Sequence, residues 1–347
     1  MSLALLLVLE FVVRTLWPQV LTGRSVRGEQ FSQSDDLLTR TYVPGAVWRF
    51  HHPEYTAVYG INGDGFRDAN VRPPEKPAGT IRILLLGDSF TFGYGVDYDK
   101  IWPVLAEQEL LRRGQSVDLV KAGVEGMDTR SELVLLHRLL GRYKPDAVVV
   151  GFLINDLYDN APYADTASGN QPRETEVRPP WRFPTLHLVI LARRLVTASD
   201  AGYALLYLAA PQRGEFLRVP LSPGAERQRR ITTDLLRLLA KVCDSAGTPL
   251  AVLSIPQQFQ VLFERSSRRD TGVNVRLYDQ LFSQVAEQEK FAWVPALDAF
   301  LNADSEEELF FRLDGHLTPA GNRIVARVFV QNVMPNLLRR VVGRTDR

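Results

Sequence analysis

The residues of this chain whose types and spacing could do chemistry begin with Ser89. It ends the apolar run of IRILLLGDSFTFGYGV, Ile81 to Val96, where the chain turns abruptly at Gly87-Asp88-Ser89. Such a run predicts a buried parallel strand that delivers its C-terminal end to a loop, the end of an open α/β sheet where ligands sit. A serine there is a candidate nucleophile, which needs a base within hydrogen-bond reach and a third group to orient that base. Of five histidines, only His316 stands in a loop just before a helix with a carboxylate, Asp314, two residues upstream. An oxyanion would need donors, and Gly123 and Asn155 each follow a strand, so all these residues fall at one sheet edge.

The elements that must position them alternate as in βαβ units, which argues for a parallel sheet with helices on both faces. Ile81–Leu86 reads as the first strand, 99–113 as a helix closed by Gly114, and Val117–Val120 as a short second strand. Residues 131–142 read as a helix, with Thr129 and Glu132 as its capping box. The valine-rich 146–153 reads as the central strand, ending at Asn155-Asp156. Alternation resumes with a helix at 226–245, a strand at 249–255, a helix at 273–290, a strand near 293–297 and a last amphipathic helix after Pro319.

Between 157 and 226 the pattern breaks into turn formers and prolines to Pro184, then a mostly apolar stretch 186–210. It reads as an insertion folded over the C-terminal edge of the sheet, a lid or substrate wall; a membrane-touching hairpin is the rival, against Arg193, Arg194 and Asp200. Residues 25–79 read as a loop-rich extension with one or two hairpins, and 80–340 as the catalytic domain. Residues 1–24 hold a hydrophobic segment of nearly spanning length, interrupted by Glu10 and Arg14 at a spacing that lets them pair. No small-residue cleavage site follows it, so it reads as a retained, weak or truncated anchor whose natural start lies upstream of Met1, or as a helix packed on the protein's own surface.

Composition narrows the classes. With 41 basic and 40 acidic residues the net charge is +1, so nucleic-acid binding has no compositional support. The single cysteine, Cys243, excludes an internal disulfide framework and reads as core. His51 and His52 lack a third ligand at a useful spacing and read as a surface pair; His137 reads as helix surface and His187 as structural, so no metal is expected. No G-x-x-x-x-G-K, G-x-G-x-x-G or G-x-S-x-G occurs, and no cofactor is expected.

Gly87-Asp88-Ser89, Gly123, Asn155-Asp156 and Asp314 with His316 resemble, in order and approximate spacing, the four blocks of the SGNH (GDSL-type) hydrolases. The resemblance covers roughly residues 61–157 and 226–330. It implies a flavodoxin-like three-layer α/β/α fold with Ser89 as nucleophile, His316 as general base and Asp314 as its orienter. It also implies an oxyanion hole made by the backbone N-H groups of Ser89 and Gly123 and the side-chain amide of Asn155. Three positions depart from the pattern: Lys121 where an asparagine is often found, Leu153 where a glycine is usual, and Leu313 where the family usually has its aspartate. The Asp-x-His form resembles the branch that handles acyl groups on bacterial exopolysaccharides.

The implied reaction is acyl transfer through an acyl-enzyme, with activity falling at acid pH because the base must be neutral. A serine esterase that removes a short acyl group, such as acetyl, from a carbohydrate is the leading expectation. An O-acyltransferase on an envelope polysaccharide and a non-catalytic carbohydrate-binding assembly component are the alternatives. The location expected is the exported side of a bacterial envelope, with possible membrane association through residues 1–22.

Overall fold

The computed structural model describes residues 3–19, 24–25, 31–38, 40–160, 186–209, 214–266, 272–303 and 306–345. The proline-rich part of the insertion, 161–185, and Asp304 lie outside the described residues. In chain order come α1 (Leu3–Leu16), the antiparallel hairpin β1 (Val47–His52) and β2 (Tyr55–Gly60), then β3 (Ile81–Gly87) and α2 (Trp102–Arg112). Next are β4 (Val117–Gly123), α3 (Thr129–Tyr143), β5 (Ala147–Phe152) and the insertion helices α4 (His187–Thr197) and α5 (Asp200–Ala209). They are followed by α6 (Pro223–Ser245), β6 (Leu250–Ser254), α7 (Gln258–Arg265), α8 (Leu277–Glu289), β7 (Ala292–Pro295) and α9 (Pro319–Val328).

Five strands pair in parallel in the order β7-β6-β5-β3-β4. Counted from β3, this is the flavodoxin-like order, and its switch point lies between β3 and β5. Helices cover both faces, which is why β5 is buried along its whole length and β3 is buried after its first residue. Cys243 is buried in this core and burial pushes its thiol up to about 12.

Several element boundaries differ from the sequence reading for local reasons. Pro103 sits in the first turn of α2, so the helix starts at Trp102 and residues 98–100 form a separate 3-10 turn. The capping box expected of Thr129 and Glu132 does not form: Asp128 caps α3 by accepting the Ser131 N-H, and Glu132 turns inward. Asn274 accepts the Arg276 N-H in a local turn, which delays α8 to Leu277. Helix α7 was absent from the sequence reading; its start is a reciprocal box between Gln257 and Gln260.

The hairpin β1–β2 lies in the extension, and His52 corrects the expectation of a surface pair. His51 is exposed, whereas the His52 side chain is only 3% exposed and stacks on Tyr55 at 4.8 Å. Helix α1 packs against α4, with Glu10 and Arg14 paired as their spacing implied. Among the described residues, no helix is long and apolar enough to cross a membrane.

Candidate active site

The turn that carries Ser89 exists because glycines flank it. Gly87 ends β3 at φ 151°, and a Cβ there would stand 2.2 Å from Thr91 Oγ1. At the end of β4, a Cβ on Gly123 would meet the Phe92 nitrogen at 2.5 Å. The one-turn helix Ser89–Phe92 can therefore settle onto the sheet edge. Asp88 caps it, accepting the Phe90 N-H at 2.9 Å, so Ser89 is fixed at the first position of the turn.

His316 arrives on a tight loop that precedes α9. Phe311 N-H donates to the His316 carbonyl and Gly315 N-H to that of Phe311, both at 2.8 Å. Gly315, at φ 85°, supplies the left-handed step between the two side chains. The Asp-x-His spacing then suffices to bring both side chains together. His316 Nε2 lies 2.8 Å from Ser89 Oγ, and His316 Nδ1 lies 2.6 Å from Asp314 Oδ2. With an ionised Asp314, Nδ1 carries the proton and Nε2 accepts from the serine hydroxyl. Burial raises the Asp314 carboxyl, but the hydrogen bond and charge of His316, with His52 and the Tyr55 hydroxyl beside it, hold it below its ordinary value.

Asn155 precedes a one-turn helix, Asp156–Asp159, at the end of β5. Its amide nitrogen donates to Asp159 Oδ2 at 3.0 Å, and its carbonyl oxygen accepts from Gln257 Nε2 at 3.3 Å. Gln257 Oε1 in turn accepts the Tyr207 hydroxyl at 3.0 Å, so α5 of the insertion reaches Asn155 through one intermediary. Sequence reasoning missed Asp159, Gln257 and Tyr207. Only their nearness to predicted strand ends or to the insertion could have flagged them.

Ser89, Asn155, Asp314 and His316 line one cavity of about 280 Å³, together with Tyr158, Asp159, Tyr203, Tyr207 and Gln257. Gly123 is not among its lining residues; it packs under Thr91 and Phe92. Leu153 lines the cavity. Lys121 does not enter the site: its ammonium is buried against Glu107 at 2.6 Å and near Asp68 at 3.6 Å.

Beneath the serine lie three buried carboxyls. Burial pushes Asp88 up to about 6, against the Phe90 N-H, the charge of His316 and the Asn155 amide. Burial and mutual repulsion push Glu132 and Asp156 well above their ordinary values. Asp156 accepts the Thr129 hydroxyl at 2.7 Å, whereas neither Glu132 oxygen has a hydrogen-bond partner. Among the described residues no group of histidine, cysteine and carboxylate side chains could hold a metal ion.

An open parallel sheet carrying a hydrogen-bonded serine, histidine and aspartate at its C-terminal edge defines a class, the α/β proteins equipped for acyl transfer. The family model of the GDSL-like lipase/acylhydrolases matches residues 85–324, and the chain belongs to that family. An arylesterase from Vibrio mimicus is 36% identical over 75 residues, which are 22% of this chain and 38% of that protein. The chain thus matches well under half the length of that curated relative. A psychrotrophic esterase from Pseudoalteromonas sp. is similar at 16% identity over 73% of this chain and 97% of that one, with a TM-score of 0.43. A family 3 carbohydrate esterase from Clostridium thermocellum is similar at 15% identity, covering 75% of this chain and 98% of that one, with a TM-score of 0.41.

Proposed function

We propose that this protein is a serine esterase that removes a short acyl group, such as acetyl, from a carbohydrate. The observation that carries the reading is the unbroken array from Ser89 Oγ to His316 to Asp314, opening into a small polar cavity. His316 takes the Ser89 proton as Oγ attacks the ester carbonyl, and returns it to the departing alcohol. Water, deprotonated by the same imidazole, then cleaves the acyl-enzyme. The backbone N-H groups of Ser89 and Gly123 and the Asn155 amide stabilise the oxyanion. Asp159 accepts from that amide and so orients it at the cavity.

The cavity supports a short acyl group. About 280 Å³ is at the lower edge of small-molecule sites, a size that suits a short acyl group better than a long one. Tyrosines with Asp159 and Gln257 suit a sugar, whose rings offer apolar C-H faces and hydroxyl rims. Transfer of the acyl group to a sugar hydroxyl uses the same residues and is the second reading, favoured by a roof built from an inserted segment that can exclude water.

Ser89→Ala should abolish release of acetate from acetylated oligosaccharides and covalent labelling by a fluorophosphonate. Retained turnover in that variant sinks the nucleophile assignment, and a wild type that never labels favours the binding component. Mass spectrometry of an added oligosaccharide incubated with an acetyl donor separates transfer from hydrolysis.

The expected membrane association, and with it an exported location, is part of the same proposal. Leu7, Phe11, Leu16 and Trp17 of the N-terminal segment are 61 to 78% exposed, and Val189 and Leu195 of α4 are 61 and 67% exposed. An apolar face of this extent suits a helix lying in a lipid interface with a tryptophan at its edge.

A further inference from the structure

Residues 53 and 54 form the turn of the hairpin β1–β2, since His52 pairs with Tyr55, and they lie well before the family match begins. The Glu54 carboxylate reaches across the fold to the loop that carries the acid of the array. Leu313 N-H donates to both of its oxygens at 3.0 Å, and Asp314 N-H donates to Oε2 at 3.0 Å. The partners are 259 and 260 positions apart in sequence, so nothing local makes this contact. Tyr55 packs on Phe311 of the same loop with ring centroids 4.6 Å apart, and His52 Nδ1 accepts the Glu54 N-H at 3.3 Å. The Glu54 side chain is 18% exposed and that of Asp314 16%, so water competes weakly for these bonds.

The departure at Leu313 gives the contact its meaning. In the resemblance stated above, an aspartate usually stands three residues before the histidine; here that residue is Leu313, and the carboxylate follows one step later. A two-residue spacing depends on the backbone of the turn to aim Asp314, and Glu54 takes the two N-H groups entering that turn. We propose that Glu54 is a positioning residue: it holds the Leu313-Asp314 backbone so that the Asp314 carboxylate meets His316 Nδ1, which makes the N-terminal hairpin part of the active site. The extension also grips the serine side. The buried Arg67 guanidinium donates to the carbonyls of Phe92, Gly93 and Val96 at 2.6 to 3.0 Å, and Gly95 N-H donates to the Tyr59 hydroxyl. Segments of one extension therefore hold both ends of the array.

The inference rests on the esterase reading, so the test carries one readout that needs no turnover. Glu54→Ala, Glu54→Gln and, as a control, Val58→Ala on the exposed side of the same hairpin are compared in the full chain with p-nitrophenyl acetate. A displacement near 1 Å in a catalytic array costs about 10²-fold. Glu54→Ala should lower kcat by about 10- to 100-fold with KM within about twofold. Glu54→Gln, which keeps one acceptor oxygen, should recover part of the loss, and Val58→Ala should match wild type. In proton NMR, the low-field Nδ1-H resonance of His316 should be present in wild type and shifted or lost in Glu54→Ala. Wild-type kcat with an unmoved resonance in Glu54→Ala overturns the inference. So does a loss of kcat that tracks a lowered melting temperature equally in Glu54→Gln and Glu54→Ala. If wild type itself neither turns over nor labels at Ser89, the esterase reading falls, and the resonance alone decides the Glu54 contact.

Discussion

Ser89 and His316 were legible from type and place, because few residues of a chain stand at the end of an apolar strand or just before a capped helix. Asn155 was legible by position but not by circumstance. Its amide is held by Asp159, Gln257 and, through Gln257, Tyr207, none of which stands in a motif. Removing one oxyanion donor costs about 10²- to 10³-fold in turnover, and Asn155→Ala should fall in that range when kcat is measured on a short ester. Gln257→Ala leaves the donor in place but unaimed, so its loss should be smaller and confined to kcat. An equal loss in the two variants would mean that the Asn155 donor is of no use unless Gln257 aims it. Lys121 shows the opposite case: a departure within a motif position that proves to face an ion pair instead of the site.

Strands were read more securely than helix starts, since apolar runs buried on both faces announce themselves while caps depend on where one side chain points. Glu132 had the spacing of a capping residue, yet it faces Asp88 and Asp156 in the interior. A carboxyl whose folded pKa is raised favours the fold while protonated, and that contribution is lost as pH rises through the raised value. The Asp88 contribution is thus full below about pH 4 and lost toward about 6. Glu132→Gln removes one member of the repelling set. Thermal melts should place this variant above wild type at pH 8, with the gap closing as pH falls; a gap independent of pH would show that the carboxyl holds its proton no more tightly in the folded chain than in the unfolded one. The hairpin β1–β2 was anticipated only as one of the short hairpins of a loop-rich extension. Its contact with the Asp314 loop was out of reach, because a glutamate in a turn is ordinary and its partners are backbone N-H groups that every residue has.

At the scale of the molecule, alternating strands and helices were enough for the layered sheet, and the strand order follows the flavodoxin-like pattern expected. The interrupted stretch 157–226 is the part least constrained by pattern: its apolar half forms two short helices, broken near Ser199. The lipid-facing proposal is checked by flotation of the full chain with anionic liposomes. Wild type should rise with the vesicles and a Phe11→Glu, Leu16→Glu double variant should stay below, with esterase activity in solution unchanged. Equal flotation of both would place the contact elsewhere.

The carboxylate of Glu10 accepts the N-H groups of His187 and Leu188 at 3.0 and 2.8 Å, and so ends α4 on α1. Helix α5, next in the chain, brings Tyr203 and Tyr207 to the cavity. Helix α1 is thereby a post beneath the active-site roof. Glu10→Ala would unseat that post, and the entry of bulky esters should register the loss before that of small ones did.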